Sequence, residues 1–340
     1  MNLLRAGDRV EVLSAEEILA TLDSEGRKDG LPFMAEMLQY CGRTFRVFKS
    51  AHKSCNTLGG GGIRRMPDAV FLDDLRCDGE AHGGCQAGCL LFWKTAWLKP
   101  AAGPSAAGPH APTSPSSPPP AGTAPPTMLE ALARGAQVLL PDGKPEGELY
   151  RCQATEHGRA TAPAQWWDPR PYVLDLITSN VRLLELVRYG LLGAMNIVLR
   201  LARLPNHPEV RGFAGDKTPT ATLDLRPGEL ARVRPQDEIM RTLNPKHRNR
   251  GLLFDVEMLP FCGRTVRVLR RVERLIDERT GRMLTLSKPC LILDGVTCGG
   301  LLSRERRFCP RAIYPYWHEI WLERVADANP KDGALGHDGR

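Results

Sequence analysis

Residues 36–47 read EMLQYCGRTFRV and residues 257–268 read EMLPFCGRTVRV, so the chain carries nearly the same stretch twice, 221 residues apart. With that offset the two copies align without a gap from Gly7 to Gly79. With an offset of 224 the alignment continues, pairing Trp93 with Trp317. The 340-residue chain therefore contains an internal repeat, and we expect each copy to form one small module.

The pattern inside each copy predicts strands with one or two short helices. Val10 and Val12 alternate with charged residues, which is typical of a half-buried strand. Ser14 stands three residues before Glu17, the spacing of a capping box at a helix start. Alternating segments at 43–49 and 70–75 predict further strands around a turn near residues 59–62. The predicted fold class is α+β, with two duplicated, β-rich cysteine modules of SH3-like barrel size.

The sequence between the two copies differs in composition from both of them. Pro, Ala, Ser and Gly dominate residues 101–126, which indicates a linker without regular structure. The predicted organisation is module 1 at 1–100, the linker at 101–126, a mostly helical insert at 127–224, module 2 at 225–325 and a flexible tail at 326–340.

A long amphipathic helix is predicted in the insert, between Asn180 and Leu204. At 100° per residue its polar side chains fall inside one arc of about 120°. Its longest stretch without a charge, Tyr189 to Leu199, is eleven residues, which is too short to cross a bilayer. We expect the apolar face to pack across the two modules, and peripheral contact with a membrane surface is the alternative.

The chain has ten cysteines and no N-terminal apolar signal segment. This combination favours a reducing compartment, so we expect a cytoplasmic protein whose thiols serve metal or redox chemistry. Buried apolar thiols are the simpler alternative.

Each module holds at least four cysteines, the number that a closed zinc site or an iron–sulfur cluster needs. Three cysteines align between the copies: Cys41 with Cys262, Cys77 with Cys298 and Cys85 with Cys309. The fourth ligand of each site does not align. It would come from one arm of a predicted hairpin in module 1, as Cys55, and from the other arm in module 2, as Cys290. We therefore expect about two metal ions per chain, zinc first and an iron–sulfur cluster as the alternative. The predicted ligands are Cys41, Cys55, Cys77, Cys85 and Cys89 in module 1 and Cys262, Cys290, Cys298 and Cys309 in module 2.

One histidine lies within the cysteine-rich loop of module 1. The segment from Cys77 to His82, CDGEAH, resembles the cluster-binding segment of CDGSH-type iron–sulfur proteins over six residues. That resemblance implies an iron–sulfur ligand role, but His82 stands one place later than the family pattern and the upstream C-x-C is missing. Arg306 occupies the aligned position in module 2. His82 is either a ligand or a solvated loop residue.

Whether the chain is an enzyme stays open at this stage. Cys152 and His157 lie close enough in sequence to suggest a nucleophile pair, although an incidental cysteine is the simpler interpretation. The sequence has no glycine-rich phosphate loop, G-x-S-x-G elbow or H-E-x-x-H motif.

The net charge of +7 arises in module 2, which has 20 basic against 12 acidic residues, whereas module 1 has 13 of each. A neutral first copy makes nucleic-acid binding by the whole repeat an unlikely general role. The leading hypothesis is a zinc-binding tandem protein that acts as a structural or partner-binding module. The alternatives are an iron–sulfur or thiol-dependent redox enzyme or electron carrier, and nucleic-acid binding through the basic hairpin of module 2. That hairpin carries Arg264, Arg267, Arg270, Arg271, Arg274, Arg279 and Arg282.

Overall fold

A computed structural model describes residues 3–59, 61–101, 132, 136–139, 145–165 and 167–325, with backbone alone at 137–139 and 145–147. Within these residues the chain is an α+β protein of antiparallel sheets and few helices. Except for Ala101, the predicted linker lies outside the described residues, and so does the predicted tail.

The strands are short except for two in the second copy. In the described chain they are β1 (Arg9–Val12), β2 (Arg27–Lys28), β3 (Leu31–Pro32), β4 (Thr44–Ser50), β5 (Lys53–Cys55), β6 (Ile63–Arg65), β7 (Ala69–Arg76), β8 (Leu90–Lys94), β9 (Leu98–Pro100), β10 (Gln137–Leu139), β11 (Pro145–Tyr150), β12 (Ala162–Pro163), β13 (Leu230–Val233), β14 (Arg248–Asn249), β15 (Leu252–Leu253), β16 (Thr265–Ile276), β17 (Met283–Leu293) and β18 (Leu322–Arg324).

Five α-helices are described, and only one of them is long. They are α1 (Ala15–Leu19), α2 (His157–Ala160), α3 (Arg170–Ile177), α4 (Leu183–Leu201) and α5 (Gln236–Thr242). Short 3₁₀ helices cover Ala35–Tyr40, Glu80–His82, Thr95–Trp97, Val256–Phe261 and Glu319–Trp321. No helix in the described residues is both long and apolar enough to cross a membrane.

The chain divides into two compact units. The first comprises Met1–Glu209, Glu273–Ser287 and Thr297–Tyr314, and the second comprises Val210–Val272, Lys288–Val296 and Pro315–Arg340. The first unit thus takes in two segments of the second copy, the turn region between β16 and β17 and the cysteine-bearing segment after β17. These two segments are assigned to the first unit because of the residues they contact in space, and an alignment of the two copies gives no information about such contacts.

The main sheet of the first unit has the order β8-β7-β4-β1-β9. Its antiparallel register pairs Val10 with Phe45 and Val70 with Trp93. The predicted capping box is confirmed, because the Ser14 side chain accepts from the Glu17 backbone and Glu17 binds back to the Ser14 backbone. The alternating valines of β1 are fully buried, so this strand presents its apolar face to the core.

In the second unit the sheet order is β17-β16-β13-β18. Strand β13 begins 221 residues after β1 starts, and the 3₁₀ helix at Val256–Phe261 lies 221 residues after the one at Ala35–Tyr40. Helix α5 has Pro235 at its N-cap, where the aligned residue of the first copy is the N-cap Ser14, and proline suits the start of a helix.

Each unit has an aromatic core of the same geometry. Phe33 and Trp97 meet edge to face at 5.3 Å and 79°, and Phe254 and Trp321 meet at the same distance and angle. All four tryptophans of the two copies are completely buried, as expected for core residues. The spacing of four between Trp93 and Trp97 predicts that both lie on one face of a helix. This prediction is wrong, because Trp93 lies on β8 and Trp97 in a 3₁₀ turn.

The prediction that the amphipathic helix packs its apolar face across the modules is also wrong. Helix α4 has no buried residue, and its apolar side chains are among the most exposed of the described chain. A pattern of polar and apolar positions shows that a helix has two faces, but it does not show which face the rest of the fold covers.

Candidate metal centre

One group of potential metal ligands is gathered in the described part of the chain, formed by Glu36, Cys77 and His82. Glu36 lies on the 3₁₀ helix Ala35–Tyr40, Cys77 directly follows β7, and His82 ends the 3₁₀ helix Glu80–His82. One ligand atom from each residue lies within 4.8 Å of the other two. Oxygen, sulfur and nitrogen donors together suit zinc.

The three side chains converge on a single carboxylate oxygen. Oε1 of Glu36 lies 2.6 Å from Nδ1 of His82 and accepts from the Cys77 thiol at 3.4 Å. The side chains of Glu36 and His82 are only 3% and 1% exposed. The second oxygen, Oε2 of Glu36, is buried and has no hydrogen-bond partner. Such an atom loses its hydration without replacement, so this carboxylate has an unused lone pair available to a cation.

The hydrogen bonds of His82 limit its protonation. Nε2 lies 3.1 Å from the backbone carbonyl oxygen of Arg151, which can only accept, so Nε2 carries a proton. Nδ1 lies at hydrogen-bonding distance from the Glu36 carboxylate, so a proton lies between them, and a metal ion bound by both atoms would take the place of that proton. A histidine that donates its other ring N–H to a backbone carbonyl is the usual arrangement behind a metal-bound imidazole.

The pKa values of the two acids of the group, Glu36 and Cys77, shift in opposite directions. Burial raises the pKa of Glu36, but the hydrogen bond and charge of His82, with smaller help from its own backbone and Cys77, hold the pKa below its usual value. Burial and the nearby Glu36 carboxylate raise the pKa of the Cys77 thiol well above its ordinary value. Cys77 is therefore a thiol in the metal-free chain, and a bound metal ion would have to displace its proton.

The loop that carries Cys77 and His82 depends on one glycine. Gly79 has φ 81°, and a Cβ at this position would lie 1.9 Å from the carbonyl oxygen of Cys85. The loop is closed by a hydrogen bond from the Cys77 N–H to the Cys89 carbonyl at 2.8 Å. Only glycine allows the left-handed conformation and the close backbone approach together. The short helix that turns His82 inward follows directly from this bend.

The aligned position in the second copy holds a permanent cation. Nη1 of Arg306, which aligns with His82, donates to Sγ of Cys298, which aligns with Cys77, at 3.0 Å. Cys298 and Arg306 both belong to the first compact unit. Arginine stays protonated in proteins. A positive charge next to this cysteine is therefore built into the second copy, whereas the first copy needs a proton or a metal ion to supply it.

Cys55 and Cys309 form a separate pair within the first unit. The backbone N–H of Cys55 donates to Sγ of Cys309 at 3.0 Å, and Nη1 of Arg311 contacts the Cys55 carbonyl oxygen at 3.4 Å. The hydrogen bond with Cys309 and, to a smaller extent, the charge of Arg311 lower the pKa of Cys55 to about 6 against the effect of burial. Burial raises the pKa of Cys309 well above its usual value.

The remaining predicted ligands do not join the Glu36 group in the described residues. Cys41 follows the 3₁₀ helix Ala35–Tyr40, and burial raises its pKa to about 11. Cys85 accepts from the backbone N–H of Ile276 at 3.4 Å. Burial raises the pKa of Cys89 far above its usual value. Cys262 and Cys290 lie in the second unit, whereas Cys298 lies in the first. Metal ligation by these thiols stays a prediction.

His82 is not a solvated loop residue, since it is 1% exposed. Cys152 and His157 do not pair with each other, because Nε2 of His157 lies 2.7 Å from Oγ of Ser54. Burial raises the pKa of Cys152 to about 11, so this thiol is protonated at neutral pH. A protonated thiol without a base beside it is a poor nucleophile.

Sequence reasoning about cysteines missed Glu36. The residue does carry a signal, because a glutamate recurs at the aligned position 257 within the apolar stretches 36–38 and 257–259. Counted over the whole residue, backbone included, Glu36 is 7% exposed and Glu257 is 4% exposed. Glutamate is rarely buried without a partner, so a matched glutamate in a buried 3₁₀ helix indicates a site.

Comparison of the chain with models of known protein families, with curated proteins and with solved structures finds no match.

Proposed function

We propose that the chain is a zinc-binding protein in which Glu36, Cys77 and His82 hold one ion, and that this ion has a structural role. The observation that carries the proposal is the convergence of a buried carboxylate, a half-buried thiol and a buried imidazole on one point, with the second imidazole nitrogen hydrogen-bonded to the Arg151 carbonyl. Three protein ligands leave a fourth coordination position for a water molecule, whereas closed structural zinc sites usually have a fourth protein ligand there. The structural role is therefore inferred from the positions of the ligands in the chain and not from their number.

Charge balance favours a divalent ion at this point. The Glu36 carboxylate and a Cys77 thiolate together carry two negative charges, which Zn²⁺ neutralises while His82 stays neutral. Uncompensated charge is costly at such low exposure. The arginine beside Cys298 offers the second copy a cation without a metal ion. For the group of Glu36, Cys77 and His82 we therefore propose one ion, and the expectation of a second ion held by the cysteines of module 2 stays a prediction.

A structural role fits the positions of the ligands in the chain. Glu36 comes from the segment before β4, and Cys77 and His82 come from the loop after β7. An ion shared among them would join two segments that are about 40 residues apart in sequence and would constrain the loop up to Cys89. Metal binding of this kind contributes directly to the free energy of folding.

An iron–sulfur cluster has less support at this group. Such clusters are held mainly by cysteine thiolates, and this group provides a single sulfur. Nucleic-acid binding by the basic hairpin has no observation in its favour. Arg271 lies 3.0 Å from Glu319 and Arg274 lies 2.5 Å from Glu148, so two of its arginines are already paired with carboxylates.

The test is elemental analysis of the full chain purified without chelator. We expect about one zinc per chain in the wild type and none in Cys77→Ala, by the ligand rules for zinc. Cys41→Ala is the matched control, because this cysteine is also partly buried but lies outside the group. A folded wild type without metal, or zinc retained at the same level by Cys77→Ala, would contradict the proposal.

A further inference from the structure

Helix α4 is attached to the first unit by its more polar side. The half-buried residues of the helix are Leu186, Tyr189, Leu192, Asn196 and Leu199. Counting 100° per residue from Arg182, these five fall within an arc of about 140°. This side therefore faces the protein, and it also contains Glu185, Asn196 and Arg200, whereas Arg188 lies about 20° outside the arc.

Specific contacts fix this orientation. Nδ2 of Asn196 donates to the carbonyl oxygen of His207 at 2.7 Å, and the His207 N–H donates to Oδ1 of Asn196 at 2.7 Å. The ring of Tyr189 meets the ring of Phe308 edge to face at 6.4 Å. All four of these residues belong to the first unit.

The opposite side of α4 is apolar and faces away from the protein. The side chains at 183, 184, 191, 198 and 201, four leucines and a valine, are between 64% and 82% exposed. Counted again at 100° per residue from Arg182, these side chains lie at about 100° to 200° around the helix axis. Twelve of the seventeen large apolar side chains that are exposed in the described chain fall between Trp167 and Leu204. An apolar surface concentrated in this way marks an interaction site.

Charge on the helix indicates the chemistry of the partner. From 182 to 203 the segment contains four arginines, all exposed, and a single acidic residue, Glu185. Arg188 lies about 40° from the apolar face, whereas Arg182 and Arg200 lie about 100° from it, on the half-buried side. An apolar face on a segment with an excess of exposed arginines fits a surface that is apolar inside and negatively charged outside.

Pairing with a second copy of the chain fits these positions less well. Leu184, Leu191 and Val198 are seven residues apart, like the seam of a coiled coil. The positions that flank such a seam usually carry charges that pair across it. Here they are Leu183, Gly190, Ile197, Arg188, Met195 and Ala202, so only one of the six is charged.

We propose that α4 is a peripheral membrane anchor, which lies in the plane of an anionic lipid surface with Leu184, Leu191 and Val198 inserted and Arg188 at the headgroups. The inference is independent of the metal centre. Because the inserted residues make few contacts within the protein, the anchor can be removed without unfolding the chain.

The experiment is sedimentation of the full chain with vesicles, once with equal parts phosphatidylserine and phosphatidylcholine and once with phosphatidylcholine alone. We expect binding to the anionic vesicles that weakens as salt rises. Leu191→Asp should weaken binding on the order of 100-fold, because a large apolar group is lost and a charge is added. Arg188→Ala should weaken binding about fivefold, because a basic residue next to the apolar face contributes to attraction at an anionic surface.

The neighbouring substitution Leu192→Asp separates binding from folding. Leu191 faces outward and Leu192 is half-buried, so Leu191→Asp should leave the melting temperature unchanged while Leu192→Asp lowers it. Absent binding, equal binding to both vesicle types, or unchanged binding by Leu191→Asp would overturn the proposal. A dimer in sedimentation velocity that Leu191→Asp dissociates would overturn it as well, since a second copy would then cover the helix.

Discussion

His82 and Arg306 occupy aligned positions in the two copies, and each lies against a side chain of its cysteine group: His82 Nδ1 at 2.6 Å from Oε1 of Glu36, and Arg306 Nη1 at 3.0 Å from Sγ of Cys298. Both positions therefore place a group that is, or can become, positively charged beside a buried carboxylate in one case and a half-buried thiol in the other. The difference is that arginine carries its charge permanently, whereas histidine can give up its proton and bind a metal ion.

This relationship predicts the effect of changing His82 into its counterpart. His82→Arg should keep the unfolding free energy within about 1 kcal/mol of the metal-free wild type, because a guanidinium can neutralise the buried Glu36 carboxylate. His82→Ala should lose about 3–5 kcal/mol, because that carboxylate then remains buried and unpaired. Urea unfolding of both variants measures the difference. If both variants lost the same unfolding free energy, residue 82 would not need to carry a positive charge.

A second prediction concerns the bend at Gly79. Gly79→Ala should cost about 3 kcal/mol or more, because the new Cβ would collide with the Cys85 carbonyl oxygen while φ is held at 81°. Gly84→Ala is the control, since Gly84 has φ 75° but nothing within 4 Å of an added Cβ, and it should cost about 1–2 kcal/mol from backbone strain alone. Denaturant unfolding checks both, and similar losses would contradict the close approach.

The aromatic cores give a third prediction, which compares the two units. Nε1 of Trp97 donates to Oγ1 of Thr21 at 3.1 Å, and Nε1 of Trp321 donates to Oγ1 of Thr242 at 2.9 Å. Thr21→Val and Thr242→Val each leave a buried indole N–H without an acceptor, which costs about 1–3 kcal/mol. Thermal unfolding should show a comparable loss for each variant. A loss from one variant only would mean that the two cores are not equivalent.

The fourth prediction concerns pH and His157. Burial lowers the pKa of His157 to about 3, and the nearby charges of Arg311 and Arg64 act in the same direction. The unfolded chain binds a proton at this residue near pH 6.5 while the folded chain does not. The contribution of His157 to the free energy of unfolding is therefore fully present above about pH 6.5 and is lost as pH falls from there toward 3.

His157→Gln tests that assignment, because glutamine does not titrate and can still accept from Ser54. The variant should lose less stability than the wild type between pH 7 and pH 4.5, measured by urea unfolding at several pH values. Parallel pH profiles for the two proteins would show that another group causes the acid sensitivity.

Local sequence patterns were enough to predict the elements whose stability is local. The Ser14–Glu17 capping box and the alternation of Val10 and Val12 involve neighbours in the chain, and both occur in the fold as predicted. The buried tryptophans followed from their size and apolar character, although the secondary structure that carries them did not, because a spacing of four fits a strand followed by a 3₁₀ turn as well as a helix.

The candidate site could be predicted only in part, because its ligands come from segments that are distant in sequence. Cys77 was a predicted ligand and His82 was considered as one, but the cysteine pattern gave no reason to add Glu36. The close approach of Glu36 to His82 depends on the bend at Gly79 and on the Arg151 carbonyl beyond the linker. Likewise, the sequence of α4 defined two faces, whereas the pair of hydrogen bonds between Asn196 and His207 decides which face is outside.

The central claim, that Glu36, Cys77 and His82 hold one zinc ion, is tested most directly by X-ray absorption at the zinc edge of the purified chain. The account predicts one sulfur neighbour at about 2.3 Å with nitrogen and oxygen neighbours at about 2.0–2.2 Å. It also predicts that His82→Arg binds no zinc at this group while remaining folded. Zinc surrounded by four sulfurs would contradict the account and would support the four-cysteine site expected from sequence, and a folded chain without bound zinc would contradict both.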